Sequence, residues 1–316
     1  PSPYLMGYLD EFIVDPRLNP LVESNRGCPF QCTFCADGIS AQNKIYKTNP
    51  KRFEDELTYI AERYKGKYLL IADDNFGMYP EDVEISKIIA RCREKYDFPH
   101  HLQVCAGKNN QARIIECSDI LKGTLRLGAS IQSMDDEVLK NVKRSNISYQ
   151  KLIDVSMRVS DTEASSYSEV ILSLPGDSKE KHYSTIDKVV DAGINQVRLL
   201  TLIILDGSEL GTDSEIKKFN IKTRYRAVHR SFGNYEIGGE VLPSVEIEEV
   251  CVENESLPFE DYIECRRFAL TVTIFYCDKI MFELTQFIKN MGFKVSEWLH
   301  YVHEDYVRFP EKLSEI

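Results

Sequence analysis

Short apolar runs rich in β-branched residues alternate with helical patterns along the first two thirds of the chain. The runs predict six strands, at 21–24, 68–72, 102–106, 125–131, 167–172 and 196–202. Apolar positions recur at helical spacing between them, over 53–64, 80–96, 110–121, 149–160 and 178–192. Most strand starts lie about as far apart as the roughly 30 residues of a βαβ unit, which predicts an α/β fold with a parallel sheet.

Six βα units are fewer than the eight that close a TIM barrel. The pattern alone therefore leaves open a six-unit barrel or a doubly wound sheet. We place a domain boundary near residue 211, because the alternation of strands and helices stops there. Residues 1–20 are predicted to be a connector, 21–211 the core, and 212–316 a mixed, mainly helical extension.

The predicted extension contains three recognisable patterns. The basic residues Lys222, Arg224, Arg226 and Arg230 are interpreted as a solvated loop or, as the lesser alternative, a clamp for an anionic substrate. Alternation over 245–248 predicts a half-exposed strand. The apolar pattern over 259–292 predicts one long helix or two short ones, ending at a glycine cap.

Composition narrows the class of protein. The 316 residues carry a net charge of −11, which disfavours general affinity for nucleic acid. The longest strongly apolar stretch, 268–277, is much shorter than the roughly 20 residues of a membrane span. The absence of a basic-then-apolar leader and an odd total of nine cysteines argue against a secreted disulfide framework. We expect a cytoplasmic protein with a small-molecule partner and no membrane partner.

Three cysteines, Cys28, Cys32 and Cys35, lie within eight residues directly after the first predicted strand. Cysteines so close are poorly placed for an unstrained disulfide, whereas a loop around a metal centre needs thiolates at short spacing. An iron–sulfur cube usually takes four thiolates, so three would leave one iron open for another ligand. A structural zinc site with a fourth ligand, such as Cys105 or His101, is the alternative.

The C-x-x-x-C-x-x-C spacing, with Phe34 before the last cysteine, resembles the hallmark loop of the radical S-adenosylmethionine (SAM) family. The resemblance implies a partial (β/α)6 TIM-like barrel and a [4Fe–4S] cluster held by Cys28, Cys32 and Cys35. It further implies that the open iron chelates the amino and carboxylate groups of SAM. Phe34 would then lie near the adenine.

The second predicted strand runs into Asp73, Asp74 and Asn75. Ligands of α/β folds bind at the carboxyl ends of strands, and an ammonium group needs oxygen acceptors there. Local turn hydrogen bonding is an equally ordinary use of these residues. The resemblance to the family favours binding of the SAM amino group, with Asp73 and Asp74 as the candidates.

The end of the fourth predicted strand and two later residues resemble SAM contacts of coproporphyrinogen dehydrogenases and methylthiotransferases. The resemblance implies that Arg144 pairs with the SAM carboxylate and that Gln132 and Glu169 bind the ribose hydroxyls, with Ser130 beside them. A guanidinium fork matches a carboxylate, and amide and carboxylate oxygens accept from hydroxyls. Taken singly, each is more often a surface residue or a strand-end cap. Lys108 departs from the pattern, because some members carry a carboxylate there.

The family resemblance implies reductive cleavage of SAM and radical chemistry on a small molecule, with a donor such as flavodoxin or ferredoxin. Residues 1–20 resemble the connector of members with an upstream cobalamin-binding domain. These 316 residues contain no D-x-H-x-x-G cobalamin motif. Cobalamin is thus expected only with an upstream domain, and methyl transfer to an unactivated carbon would then be the leading reaction. The alternatives are an RNA-modifying methylthiotransferase and a non-catalytic zinc-binding module.

Overall fold

Parallel strands form the centre of the fold, as the sequence predicts. The computed structural model describes residues 1–15, 17–125, 127–128, 130–160 and 166–305. Its strands are β1 (Leu21–Val22), β2 (Asn25–Arg26), β3 (Tyr46–Lys47), β4 (Tyr68–Ile71), β5 (His101–Gln103), β6 (Leu127–Gly128), β7 (Ser166–Leu172), β8 (Gln196–Thr201), β9 (Lys222–Ile237) and β10 (Glu240–Glu253). The orders β1-β4-β5 and β6-β7-β8 define two parallel sheets. The α/β prediction is confirmed.

Helices connect these strands. They are α1 (Asp10–Ile13), α2 (Pro50–Ala61), α3 (Glu81–Tyr96), α4 (Gln111–Ile120), α5 (Asp136–Asn141), α6 (Tyr149–Ser160), α7 (Lys179–Asp191), α8 (Asp213–Lys218), α9 (Phe259–Phe275), α10 (Phe282–Asn290) and α11 (Val295–Glu304). Five of them, α2, α3, α4, α6 and α7, lie where the helical spacing predicts. Asn49 caps α2 by accepting a hydrogen bond from Lys51 N, and Ser178 caps α7 in the same way.

Each parallel sheet has its own apolar core. Phe53, Leu57 and Ile60 lie on one face of α2 and are fully buried in the first core. Full burial of each such side chain stabilises the fold by roughly 1.5–3 kcal/mol. Helices α7, α9 and α11 contribute to the second core. The N-terminal segment packs on the first core, where the Tyr4 hydroxyl donates to Leu21 O at 2.8 Å.

Two strands are shorter than the apolar runs predict. The run 102–106 gives only His101–Gln103, and the run 125–131 gives only Leu127–Gly128; residues 126 and 129 lie outside the described ranges. Single bridges, Phe76 with Ala106 and Gln132 with Val170, continue the two ladders. The backbone of Gln132 has φ 62°, which a regular strand does not allow.

The basic run does not form the predicted loop. Instead, β9 and β10 form one long antiparallel hairpin joined by Gly238 and Gly239, both with positive φ. Lys222 pairs with Glu253 and Arg226 with Glu248 across the two strands, so the basic residues contribute cross-strand ion pairs. The predicted strand at 245–248 lies inside β10.

The C-terminal region contains the helices that the apolar pattern predicts. Two helices, α9 and α10, occupy 259–292, and a 3-10 turn at Cys277–Lys279 separates them. Gly292 follows α10 with φ 81°, as expected of a glycine at a helix end. Across the described residues, none of the helices combines the length and apolarity needed to cross a bilayer.

Candidate active site

A cavity of about 930 Å³ is lined by residues of both parallel sheets and of the loops that follow their strands. Nearly all the predicted site residues meet there: Cys28, Cys32, Phe34, Cys35, Asp74, Ser130, Gln132, Arg144 and Glu169. Asp73 is the exception, since it does not line the cavity. The fold thus brings together residues that are up to 141 positions apart.

The cysteine loop folds closely on itself between β2 and β3. Cys28 N donates to Gln42 O at 3.0 Å, and Cys35 N donates to Cys32 O at 3.1 Å. A Cβ at Gly38 would collide with the carbonyl oxygen of Cys32, so the loop needs glycine there. All three free thiols of this tight loop belong to residues that line the cavity.

Two side chains donate toward the cysteine sulfurs. Asn75 Nδ2 lies 3.3 Å from Cys28 Sγ, and Arg144 Nη1 lies 3.7 Å from Cys32 Sγ. N–H groups of this kind can hydrogen-bond to a sulfur that carries negative charge. Burial raises the pKa of the Cys35 thiol, as do the charges of Asp37 and the other two cysteines. A bound metal centre would reverse that effect, because it favours the deprotonated sulfur.

The donor set suits an iron–sulfur cube, which takes one thiolate per iron. Among the residues that the structure describes, no three His, Cys, Asp or Glu side chains are grouped to hold a single metal ion. The two candidates for a fourth zinc ligand, His101 and Cys105, also line the cavity. His101 stacks on Tyr68 with ring centroids 4.5 Å apart.

The two adjacent aspartates occupy different environments. Asp73 is 2% exposed and accepts from Ser24 N at 2.8 Å, Asn25 N at 3.1 Å and Asn25 Nδ2 at 2.7 Å, as well as from the Ser24 hydroxyl. Burial raises the pKa of Asp73 to about 6 although these donors oppose the rise. Asp74 faces the cavity, and burial together with Asp37 and Glu23 raises its pKa. Asp73 therefore braces the segment before the cysteine loop, and Asp74 is available to a ligand.

Arg144 is held against the end of the fourth predicted strand. Its Nη2 donates to Ser130 O and its Nε donates to Asn146 Oδ1 at 3.0 Å. Asn146 in turn donates to Ile131 O at 2.7 Å and to Ser133 O at 2.6 Å. These bonds fix the guanidinium beside the cysteine loop, on the cavity wall.

Glu169 of β7 and Gln132, which bridges to the next residue of β7, lie side by side at the second sheet. Ser130 Oγ donates to Glu169 Oε2 at 3.0 Å, and Arg198 Nη1 lies 3.3 Å from Glu169 Oε1. Gln132 N donates to Glu169 O at 2.7 Å. Among the residues that the structure describes, the buried Oε1 of Gln132 has no hydrogen-bond partner, although the residue lines the cavity. An unpaired acceptor of this kind is suited to a ligand hydroxyl.

Lys108, in the segment that follows β5, also lies close to the cysteine loop. Its Nζ is 3.6 Å from the centroid of the Phe30 ring. Burial, together with the charge of Arg144, lowers the pKa of Lys108 to about 8. The ammonium group is therefore mostly charged at neutral pH.

Several residues of the site, or of its immediate support, were not predicted from the sequence. Asn75 was noted beside the two aspartates, where it was grouped with the oxygen acceptors and not predicted to donate to a cysteine sulfur. Arg198, whose charge falls inside the strand pattern of 196–202, was a usable signal for a polar interior. Asn146 and Gly38 gave no signal, because their roles depend on contacts with distant backbone atoms.

Comparison with known proteins gives one family and several relatives. A sequence model described as the radical SAM superfamily matches residues 22–210. The cobalamin-dependent radical SAM methyltransferase TokK of Streptomyces tokunonensis is 29% identical over 284 residues, which cover 86% of this chain and 40% of TokK. The 2-(S-pantetheinyl)-carbapenam-3-carboxylate methyltransferase of Streptantibioticus cattleyicolor is 28% identical with the same coverage. The chain thus spans about 40% of the length of these relatives.

Solved structures resemble the fold. The radical SAM methyltransferase TsrM from Kitasatospora setae, with cobalamin and a [4Fe–4S] cluster bound, gives a TM-score of 0.53 at 12% identity, covering 68% of this chain and 39% of TsrM. The cobalamin-dependent SAM radical enzyme OxsB with aqua-cobalamin gives the same score and identity, covering 91% of this chain and 47% of OxsB. At such low identity the similarity establishes the fold and nothing further.

Proposed function

Because the chain belongs to the radical SAM superfamily, we propose that its cavity binds a [4Fe–4S] cluster and SAM side by side and cleaves SAM reductively. One observation carries the proposal. The three loop thiols line the same cavity as the candidate SAM contacts of both sheets. When bound, the reduced cluster would supply the electron for reductive cleavage of SAM to methionine and a 5′-deoxyadenosyl radical, and this radical would start the chemistry on the substrate.

The residues of this chain hold and orient the two groups. Cys28, Cys32 and Cys35 would hold three irons of the cluster as thiolates, which would leave one iron for SAM. Arg144 presents its guanidinium to the SAM carboxylate, a pairing that the fork geometry favours. Asp74 accepts from the amino group. The cavity walls restrict water around these groups, and the cofactors supply the difficult chemistry.

Gln132, Glu169 and Phe34 complete the proposed SAM site. The free Oε1 of Gln132 accepts from one ribose hydroxyl. Glu169 accepts from the ribose as well, held in place by Ser130 and Arg198. Phe34, on the cysteine loop, contacts the adenine.

We propose further that the six parallel strands form a partial (β/α)6 barrel spanning 21–211, with the extension 212–316 closing the substrate side. Support comes from the cavity, which is lined by β4 and β5 of one sheet and by β7 and β8 of the other. Inward-facing side chains of consecutive strands meet in this way inside a barrel. The residues 1–20 act as the connector, packed on the first core through Tyr4 and Ile13.

The reaction that we propose for the whole protein is cobalamin-dependent methyl transfer to a carbon of a small molecule. It is supported by the names of the two relatives, both methyltransferases. Cobalamin would be held by residues outside this sequence. Flavodoxin or ferredoxin would supply electrons, in a reducing cytoplasm that keeps the nine cysteines as thiols.

The test is anaerobic reconstitution with iron and sulfide, followed by optical and EPR spectra with and without SAM and an assay for 5′-deoxyadenosine. We expect about four irons and four sulfides per chain and a change in the cluster spectrum when SAM binds. Reduced protein should release 5′-deoxyadenosine. Spectra that do not respond to SAM would refute the open iron, and a single zinc per chain would replace the proposal with a structural metal site.

Substitutions of Asp73 and Asp74 are expected to have different effects, one on the stability of the fold and the other on SAM binding. Asp74→Asn is expected to weaken SAM binding about tenfold at an unchanged melting temperature, because it removes one charge-assisted hydrogen bond. Asp73→Asn should instead lower the melting temperature, because its carboxylate receives four hydrogen bonds from Ser24 and Asn25. Calorimetric titration with SAM and a thermal scan of the cluster-loaded variants measure both effects. Equal SAM affinity of Asp74→Asn and wild type would remove Asp74 from the site.

A further inference from the structure

Lys108 has no role in the function proposed above, although it reaches the cysteine loop. Its Nζ lies 3.6 Å from the ring centroid of Phe30, and both residues line the cavity. Phe30 lies midway along the loop between Cys28 and Cys32. The ring face attracts the ammonium group and so fixes a positive charge on the segment that carries two of the proposed ligands.

The backbone around Lys108 is fixed independently of the cysteine loop. Gly107 N donates to Phe76 O at 2.9 Å, and Phe76 N donates to Cys105 O at 3.0 Å. On the other side, Gln111 Nε2 donates to Lys108 O at 3.1 Å. The segment after β5 is therefore bound to the segment after β4, and the lysine side chain extends from a rigid base.

Lys108 differs in its contacts from the other two cations of the cavity. Arg144 is held by Asn146 and by Ser130 O, and its Nη1 also lies 3.7 Å from Cys32 Sγ, whereas Arg198 pairs with the carboxylate of Glu169. Within the described part of the chain, Lys108, like Arg144, forms no ion pair with an acidic side chain, and its ammonium group contacts the ring of Phe30. Its charge is thus not cancelled locally, and in a half-buried position such a charge acts over a longer distance than in water.

We propose that Lys108, held on Phe30, raises the reduction potential of the cluster by stabilising its reduced and more negative state. The proposal rests on the function proposed above, because it requires a cluster at Cys28, Cys32 and Cys35. Reduction adds one electron from the external donor and therefore one negative charge to the centre. Net charge, nearby hydrogen bonds and solvent exposure set the potentials of such clusters, and a fixed cation beside the ligand loop favours the reduced form.

The experiment is a mediated redox titration of the reconstituted protein, followed by EPR and carried out without SAM. Lys108→Met removes the charge but keeps an unbranched side chain. We expect its midpoint potential to shift to more negative values while iron and sulfide contents equal those of wild type. Lys108→Arg keeps the charge and should retain most of the wild-type potential. Phe30→Leu removes the ring and should shift the potential in the same direction by less.

Lys44→Met is the matched control. Lys44 also lies over an aromatic ring, 5.1 Å from the centroid of Tyr46, but it is exposed and does not line the cavity. Its replacement should leave the midpoint potential unchanged. An equal shift in this variant would show that any lost lysine lowers the potential and would overturn the specific role of Lys108.

The remaining outcomes are also decisive. A fully loaded Lys108→Met protein with the wild-type potential overturns the proposal while SAM cleavage by wild type still supports the proposed function. If Lys108→Met takes up no cluster, the Lys108→Arg variant is the deciding measurement. A Lys108→Arg protein that holds a cluster near the wild-type potential supports the charge effect. A Lys108→Arg protein that also takes up no cluster overturns the proposal. A wild-type protein that takes up no cluster overturns both proposals.

Discussion

Replacing Cys32 by Ala is expected to abolish cluster uptake and, with it, release of 5′-deoxyadenosine down to the level of the cluster-free protein. Cys32 is 6% exposed and is the most buried of the three loop thiols. Its removal leaves two thiolates for a cube that usually takes one per iron. The loss of so small a side chain costs on the order of 1 kcal/mol, so the variant should stay folded. Iron and sulfide analysis with a thermal scan distinguishes loss of the cluster from unfolding.

Cys105→Ala is the matched control for that experiment. Cys105 is exposed and lines the same cavity, but it lies outside the loop and after β5. Its removal should leave iron uptake unchanged. If zinc were the resident metal with Cys105 as its fourth ligand, both variants would lose metal together. A Cys32→Ala protein that keeps a full cluster would refute the ligand assignment.

Arg144→Ala is expected to weaken SAM binding by roughly 30-fold or more. Truncating one partner of a desolvated charge pair costs about 2–5 kcal/mol, and each 1.4 kcal/mol corresponds to a factor of ten in affinity. The guanidinium is fixed by Ser130 O and Asn146 Oδ1, so it can meet a carboxylate with little loss of side-chain entropy. Arg144→Lys should fall between wild type and Ala, because an ammonium offers no bidentate fork.

SAM affinity is measured by titration of cluster-loaded protein, together with cluster content and melting temperature. Lys143→Ala is the control, because Lys143 is the preceding cation and is exposed, with its Nζ 2.6 Å from Glu209 Oε1 and outside the cavity. Its affinity for SAM should equal that of wild type. An Arg144→Ala protein that binds SAM as tightly as wild type would exclude Arg144 from the carboxylate site.

Periodicity in the sequence predicted the central elements well, because local burial decides them. The face of α2 formed by Phe53, Leu57 and Ile60 is visible in the sequence and is fully buried in the structure. Strand ends were less predictable. The apolar run at 125–131 looks continuous, yet the backbone leaves the strand at Gln132, and residues 126 and 129 lie outside the described ranges.

The hairpin of β9 and β10 was not predicted, although the sequence contains a signal for it. Charged residues at 222–230 suggested a solvated loop, but on a two-stranded ribbon both faces are wet and such residues are common in strands. The pair Gly238 and Gly239 was the better signal, since two residues with positive φ make the tight turn of a hairpin.

The residue types of the candidate site could be predicted from the sequence, but the separate role of each residue could not. Spacing singled out the cysteine loop, and strand-end positions singled out the oxygen acceptors. Nothing local distinguishes Asp73 from Asp74, because what separates them is the set of donors from Ser24 and Asn25, almost fifty positions away. The donors to sulfur, Asn75 and Arg144, likewise depend on tertiary contacts.

The left-handed backbone of Gln132 has a cost that glycine would not incur. A side chain in this conformation stores about 1 kcal/mol of strain, which the substitution Gln132→Gly would release. The same substitution would delete the amide whose buried oxygen has no hydrogen-bond partner among the described residues. Glycine at position 132 would thus favour thermal stability, and glutamine would favour ligand binding. Selection for thermal stability alone would be expected to weaken ligand binding at this position first.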